Sequence, residues 1–280
     1  MSVSCFKGGG RTLARKVAER VRAMAVGPAP MRKPSDWAWE EFGFEADPRQ
    51  KEVLDTPARR VLLCCSRQWG KSTVTALRAL HFARHHPGST TLCVTPSQRQ
   101  SGLFLEKVQR YLQGPVARDT RDAASVKLPN GSSIIGLPAQ EATIRGFDNV
   151  GFLILDEAAM IDDNVYTATR PMRVLSDGLL WMISTPHGQS GFFHDAWHDG
   201  DAGWARFRVP AGECARFSPD VLAQERIALG ERMYAQEYLC EFLPSDQQMI
   251  PAHLVDSAVT SAEEPLDETP FAELEGQRAA

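Results

Sequence analysis

The chain has 280 residues, 43% of them apolar and 24% charged, the proportions of a soluble globular protein with one large or two small domains. No apolar run approaches the roughly 20 residues that cross a bilayer, and the N-terminus lacks the hydrophobic core of a signal peptide, so the expected location is the cytoplasm. A net charge of −4 excludes a protein that grips nucleic acid by bulk charge; any such grip requires a local patch.

The charge is unevenly spread. Residues 1–33 hold eight basic residues against Glu19, a net +7, which leaves −11 for the remainder. Leu13, Val17, Val21 and Met24 recur at helical spacing with arginines between them, which predicts a basic amphipathic helix. Gly27-Pro28-Ala29-Pro30 then breaks the chain. The expected division is a basic helix and linker over 1–34, a main domain over 35–245, and a tail or severed linker over 246–280. The six cysteines include no C-x-x-C pair, so zinc is not expected and buried reduced thiols are.

From Ser35, a candidate N-cap, an aromatic cluster of Trp37, Trp39, Phe42 and Phe44 leads to Asp47-Pro48. Asp at the cap and Pro at the first helical position open a helix there. Gln50, on that helix, carries an amide able both to donate to and to accept from an adenine edge. Val61 to Cys65 is a short apolar run with polar bounds and reads as a buried strand. Gly70-Lys71-Ser72-Thr73 follows and then a helix. Strand, tight loop, Gly-Lys-Ser and helix is the order of a phosphate cradle, in which loop N–H groups and the helix dipole face phosphate oxygens. Lys71 would reach the β- and γ-phosphates of ATP, and the Ser72 hydroxyl would hold Mg²⁺. Cys65 stands where G-x-x-x-x-G-K-[ST] has its first glycine.

Further strands are expected over Thr90–Thr95 and in a hairpin from Val126 to Ile135 that turns at Asn130-Gly131. Gly151-Phe152-Leu153-Ile154-Leu155 reads as another buried strand, with Asp156 and Glu157 at its carboxyl end. In open α/β sheets ligands bind at that end. Asp156 is therefore expected at the Mg²⁺ and Glu157 at the water that attacks the γ-phosphate. Leu179 to Ile183 repeats the pattern and ends in Ser184-Thr185-Pro186; either hydroxyl could sense the γ-phosphate. Helices are expected over 192–198, 219–229 (capped by Ser218) and 232–239, and a strand over 204–209. Buried strands alternating with helices predict an α/β fold, a P-loop NTPase of the ASCE (RecA-like) kind with a mostly parallel central sheet flanked by helices.

In this order the motifs resemble the ATPase domain of the large terminase subunit, the DNA-packaging motor of tailed bacteriophages, over roughly residues 35–245. Ser66-Arg67-Gln68-Trp69-Gly70-Lys71-Ser72-Thr73 is similar to that family's variant Walker A, which does not require the glycine at Cys65. Leu153 to Ala159 is similar to its Walker B with the catalytic glutamate, Ser184-Thr185-Pro186 to its coupling motif, and Met233 to Phe242 to the segment closing the domain. Gln50 sits where its adenine-reading glutamine is expected. The resemblance implies a DNA-dependent ATPase in the host cytoplasm that uses ATP and Mg²⁺ and drives double-stranded DNA into a procapsid. The implied partners are the small terminase subunit, the portal protein and further copies of the chain in a ring. Arg67 is a candidate to act in cis on the phosphates, and Arg145 resembles the finger that reaches a neighbouring subunit's ATP. The family's C-terminal nuclease domain has no counterpart before Ala280, so nuclease activity is not expected of this chain. The alternatives are a prophage remnant or regulatory module that binds ATP without motor activity, and another DNA-dependent ATPase or helicase.

Overall fold

A computed structural model describes residues 31–112, 124–140, 144, 146–147, 149–173 and 176–244. The predicted basic helix at 11–25, Arg145 and the tail from 261 lie outside those residues.

Seven strands form one sheet: β1 (Arg60–Cys65), β2 (Thr90–Thr95), β3 (Ala124–Lys127), β4 (Ser133–Pro138), β5 (Val150–Asp156), β6 (Leu179–Ser184) and β7 (Ala205–Val209). Their order across the sheet is β3-β4-β2-β5-β6-β1-β7. Every neighbouring pair is parallel except the β3–β4 hairpin at one edge. Among the described residues, seven α-helices connect or flank the strands: α1 (Pro34–Phe42), α2 (Pro48–Leu54), α3 (Lys71–His85), α4 (Gln98–Tyr111), α5 (Asp163–Thr169), α6 (Phe192–His198) and α7 (Pro219–Leu239).

The unbroken apolar runs follow from burial on both faces of a parallel sheet. Successive side chains alternate between faces. Val61, Leu63, Phe152, Ile154, Trp181 and Ile183 join one core. Leu62, Leu153, Leu155, Leu180 and Met182 join the other. Cys64, Cys65, Cys93, Cys214 and Cys240 are free, buried thiols, as expected.

Local signals held where the chemistry is local. Asp47 accepts from the Gln50 N–H at 2.8 Å while Gln50 Oε1 accepts from the Asp47 N–H at 3.2 Å, a reciprocal capping box. The Ser218 hydroxyl accepts from the Val221 N–H at 3.3 Å. α7 is broken at Gly230, φ 73° and ψ 162°, so its two halves correspond to the two helices expected there. Ser35 differs. α1 begins two residues earlier than a Ser35 cap implies, at Pro34 with Lys33 at the cap, and Ser35 instead donates through N–H and hydroxyl to the two Asp55 carboxylate oxygens at 2.9 and 2.6 Å. A carboxylate twenty residues on outcompetes the cap, because a hydrogen bond to a charged group is stronger than one to a neutral N–H. The β3–β4 hairpin turns through Asn130-Gly131 as expected. Asn130 also reaches away from the hairpin, donating to the Ala83 and Arg84 carbonyls at the end of α3 at 2.8 and 3.0 Å.

Candidate nucleotide site at the carboxyl ends of the strands

β1 delivers the chain to the loop of Ser66 to Trp69, and α3 starts immediately after Gly70. Gly70 is left-handed, φ 100°, a conformation that favours glycine, and a Cβ there would lie 3.1 Å from Gln50 Nε2 and 3.2 Å from Arg216 Nη2, crowding both donors. Gln68, φ 60°, is left-handed without being glycine, a strain of the kind found at functional loops. Neighbouring elements hold this loop. The Ser66 N–H donates to the Val209 carbonyl at 3.0 Å and the Arg67 N–H to the Glu237 carbonyl at 3.1 Å. The Trp69 carbonyl accepts from Gln50 Nε2 at 3.0 Å and also from Arg216 Nη2, while the indole of Trp69 is fully buried. Thr73 follows Ser72 in the first turn of α3, and its N–H closes back on the Gly70 carbonyl at 2.9 Å.

β6 lies between β1 and β5, so the ends of β1 and β5 stand two strand spacings apart, about 10 Å. Lys71 spans that gap. Its Nζ lies 2.7 Å from Glu157 Oε1 and donates to Thr185 Oγ1 at 3.2 Å. Loop, β5 and β6 thus converge on one ammonium group. Burial pulls the Lys71 pKa down, but Cys65, Glu157 and Asp156 outweigh it and leave it raised. Asp156 is buried, and burial first, then the neighbouring Glu157 charge, pushes its carboxyl up to about 6. Glu157 adopts φ 55°, a left-handed kink immediately after β5. The two hydroxyls left open by sequence separate here: Thr185 faces Lys71, whereas Ser184 Oγ is buried and accepts from the Ala159 N–H at 3.2 Å.

Two expected residues have protein partners of their own. Gln50 is buried, and each end of its amide already makes one hydrogen bond within the protein; one donor and one acceptor position remain. The Arg67 guanidinium pairs with both oxygens of Glu237 on α7, Nη2 to Oε1 at 3.4 Å and Nε to Oε2 more closely. Glu237 and Arg216 were not legible as site residues, since they lie 170 and 147 positions from their partners Arg67 and Trp69 and carry no motif. On α4, burial lowers the Lys107 pKa against the raising influence of the Asp156 charge.

A parallel sheet with a Gly-Lys-Ser loop between its first strand and the next helix, and a carboxylate pair closing a nearby strand, is a P-loop NTPase. Residues 62–255 match the family model described as the N-terminal part of the terminase large subunit, T4likevirus-type, and the chain belongs to that family. It is 29% identical over 184 residues to the large terminase subunit of Thermus virus P23-45 and 28% identical over 184 residues to that of Thermus phage G20c. Each alignment takes in 58% of this chain and 38% of the relative. Among solved structures, the ATPase domain of the Thermus phage P74-26 large terminase superposes with a TM-score of 0.64 at 25% identity, covering 76% of this chain and all of that one. The HK97 bacteriophage large terminase shares the fold, with a TM-score of 0.60 at 18% identity over 71% of this chain and 51% of its own.

Proposed function

We propose that this chain is the ATP-hydrolysing motor part of a DNA-packaging terminase, acting on double-stranded DNA in the host cytoplasm together with a portal protein, a small subunit and further copies of itself in a ring. The observation that carries the reading is the Lys71 ammonium held between Glu157 and Thr185, which gathers the loop and two strand ends at one point. The family supports ATP as the substrate; the roles of the residues below are our assignments.

Lys71 binds the β- and γ-phosphates, exchanging its contact with Glu157 for phosphate oxygens. Within the loop Ser66-Arg67-Gln68-Trp69-Gly70 and the start of α3, the N–H groups of Gln68, Trp69, Gly70, Lys71 and Ser72 cradle the phosphates, with Thr73 completing the turn. Gln50 reads the adenine through its remaining donor and acceptor. A Mg²⁺ ion fits the donor set: Ser72 offers a hydroxyl, and the buried Asp156 carboxylate, with its raised pKa, lacks sufficient positive charge nearby. Those two residues would hold it, and when bound it neutralises charge on the phosphate oxygens. Glu157, released from Lys71, accepts a hydrogen bond from the attacking water and takes its proton. Thr185 reports the state of the γ-phosphate through its bond to Lys71. Arg67 in cis or Arg145 in trans adds positive charge to the transferring group, a contribution of about 10³–10⁵ in rate where such a residue operates.

The test is steady-state ATP hydrolysis by the wild type and Lys71→Ala, with and without duplex DNA at two salt concentrations. Wild-type turnover that DNA stimulates in a salt-dependent way, with no tight ATP binding by Lys71→Ala, is expected. Hydrolysis indifferent to DNA would leave an ATPase but remove the motor role. Equal ATP affinity in Lys71→Ala would remove the nucleotide site itself.

A further inference from the structure

A deep cleft lies away from the phosphate loop. It lies at the opposite, amino-terminal ends of the strands, between the end of α3, the entries to β1, β2, β5 and β6, and the residues before α1. Its volume is about 930 Å³. At its wall is Arg78, on the same helix that begins with Lys71.

Arg78 is unusual in its partners. Its guanidinium carbon lies 5.7 Å from the centre of the Trp181 ring and 6.0 Å from that of Phe152, and Nε is buried with no hydrogen-bond partner. No carboxylate among the described residues forms an ion pair with it. The nearest acidic influence is Asp55, whose two oxygens are committed to Ser35. Burial outweighs that influence and pulls the Arg78 pKa down to about 10. Arg78 is half-buried; a charge so placed without a counter-charge carries part of the cost of a buried one, and the two rings offset some of it. Two more buried polar atoms on residues lining the same cleft lack partners, Ser89 Oγ and His81 Nδ1.

The surroundings favour an anion. Arg32, Lys33 and Arg59 also line the cleft, against Asp55 and Asp177; Asp177 pairs with Arg59 at 3.0 Å, and Arg32 pairs with Glu40 outside the cleft lining. The carbonyls at the end of α3 would repel an anion, but several are covered. The Asn130 amide caps those of Ala83 and Arg84, and the His85 and His86 rings bond those of His81 and Phe82 at 2.8 Å each. A planar guanidinium presents a fork of donors that matches phosphate, and a hydroxyl can donate to a third oxygen. Phosphate, with more acceptor oxygens than a carboxylate, suits a cleft in which cations outnumber acids.

We propose that this cleft is a second anion site that binds a phosphate group through the Arg78 guanidinium and the Ser89 hydroxyl, the phosphate being free or part of a nucleic-acid backbone. The site is separate from the nucleotide site and does not depend on the reading of that site.

The test uses the full chain carrying Lys71→Ala, so that the phosphate loop contributes little, titrated calorimetrically with inorganic pyrophosphate at low ionic strength, with acetate as the control anion. Saturable pyrophosphate binding is expected, at least tenfold weaker when Arg78→Gln is added and severalfold weaker with Ser89→Ala. Absence of saturable binding, indifference to Arg78→Gln, or acetate binding equally well would each overturn the proposal. Thermal unfolding of each variant checks its fold; should Arg78→Gln fail to fold, Arg78→Lys, which keeps the charge and loses the fork, and Ser89→Ala decide in its place. Anisotropy of a labelled duplex distinguishes the sources. If the phosphate belongs to DNA, Arg78→Gln weakens duplex binding and lowers the salt slope by about one; unchanged duplex binding assigns a free phosphate.

Discussion

Arg67 and Glu237 stand 170 residues apart and form a two-pronged ion pair, while the Glu237 carbonyl accepts the Arg67 N–H at 3.1 Å. One residue of α7 therefore holds both the side chain and the backbone of one residue of the phosphate loop. The two ends of the pair differ in exposure: the Arg67 side chain is 66% exposed, that of Glu237 only 10%. Removing either partner is consequently not equivalent.

Arg67→Ala leaves a nearly buried carboxylate without its counter-charge, whereas Glu237→Gln leaves an exposed guanidinium that water can solvate. Allowing for screening at the exposed arginine, Arg67→Ala is expected to destabilise by about 1–3 kcal/mol and Glu237→Gln by about 1 kcal/mol or less. Urea midpoints of the two variants measure this. Equal losses would mean that Glu237 is not held by Arg67.

Glu157→Gln removes the charge that now faces Lys71 at 2.7 Å but keeps a side chain of the same shape. Lys71 is then free of its competing partner. ATP affinity is expected to hold or rise, while turnover falls by about 10²–10⁴, the usual contribution of a general base. Calorimetry in the absence of turnover, beside a steady-state assay, separates the two effects. Normal turnover would require another base.

The raised pKa of Asp156 makes a prediction about pH. In the folded protein this group titrates near 6, against an ordinary value of 3.8. Between those values the folded state holds more protons than the unfolded state, so stability falls as pH rises through that window. Asp156→Asn carries no such loss. Without metal or nucleotide it is expected to be more stable than the wild type at pH 7.5, by on the order of 2 kcal/mol, with the gain disappearing below about pH 4. Denaturant midpoints across pH 3.5–8 report it, and a gain independent of pH would point to a cause other than titration.

Arg145 lies outside the described residues, and its proposed action in trans is a question about assembly. If it completes a neighbour's site, subunits carrying Arg145→Ala with an intact phosphate loop lower the turnover of wild-type subunits mixed with them, by more than their share. Turnover per subunit also rises with protein concentration. Activity that declines in strict proportion to the mutant fraction, at every concentration, would leave Arg67 as the remaining candidate.

The elements that sequence alone determined are those whose cause is contained in a few neighbouring residues. An apolar run such as Val61 to Cys65 or Phe152 to Leu155 is a buried strand because nothing in it tolerates water on either face. Asp47-Pro48 caps a helix because donor and acceptor are three residues apart, and Gly70 turns the loop because only glycine takes that φ without cost. The family, too, was legible, since its motifs follow one another in fixed order along the chain. Tertiary structure alone decided which charges meet. Strand order put β6 between β1 and β5, and so brought Lys71 to Glu157 and Thr185 rather than to either alone. It turned Arg67 towards Glu237, drew Ser35 to Asp55 instead of a cap, and left Arg78 without a carboxylate beside two aromatic rings. Such pairings depend on distances in space between residues separated by as many as 170 positions, and neither periodicity nor propensity carries that information.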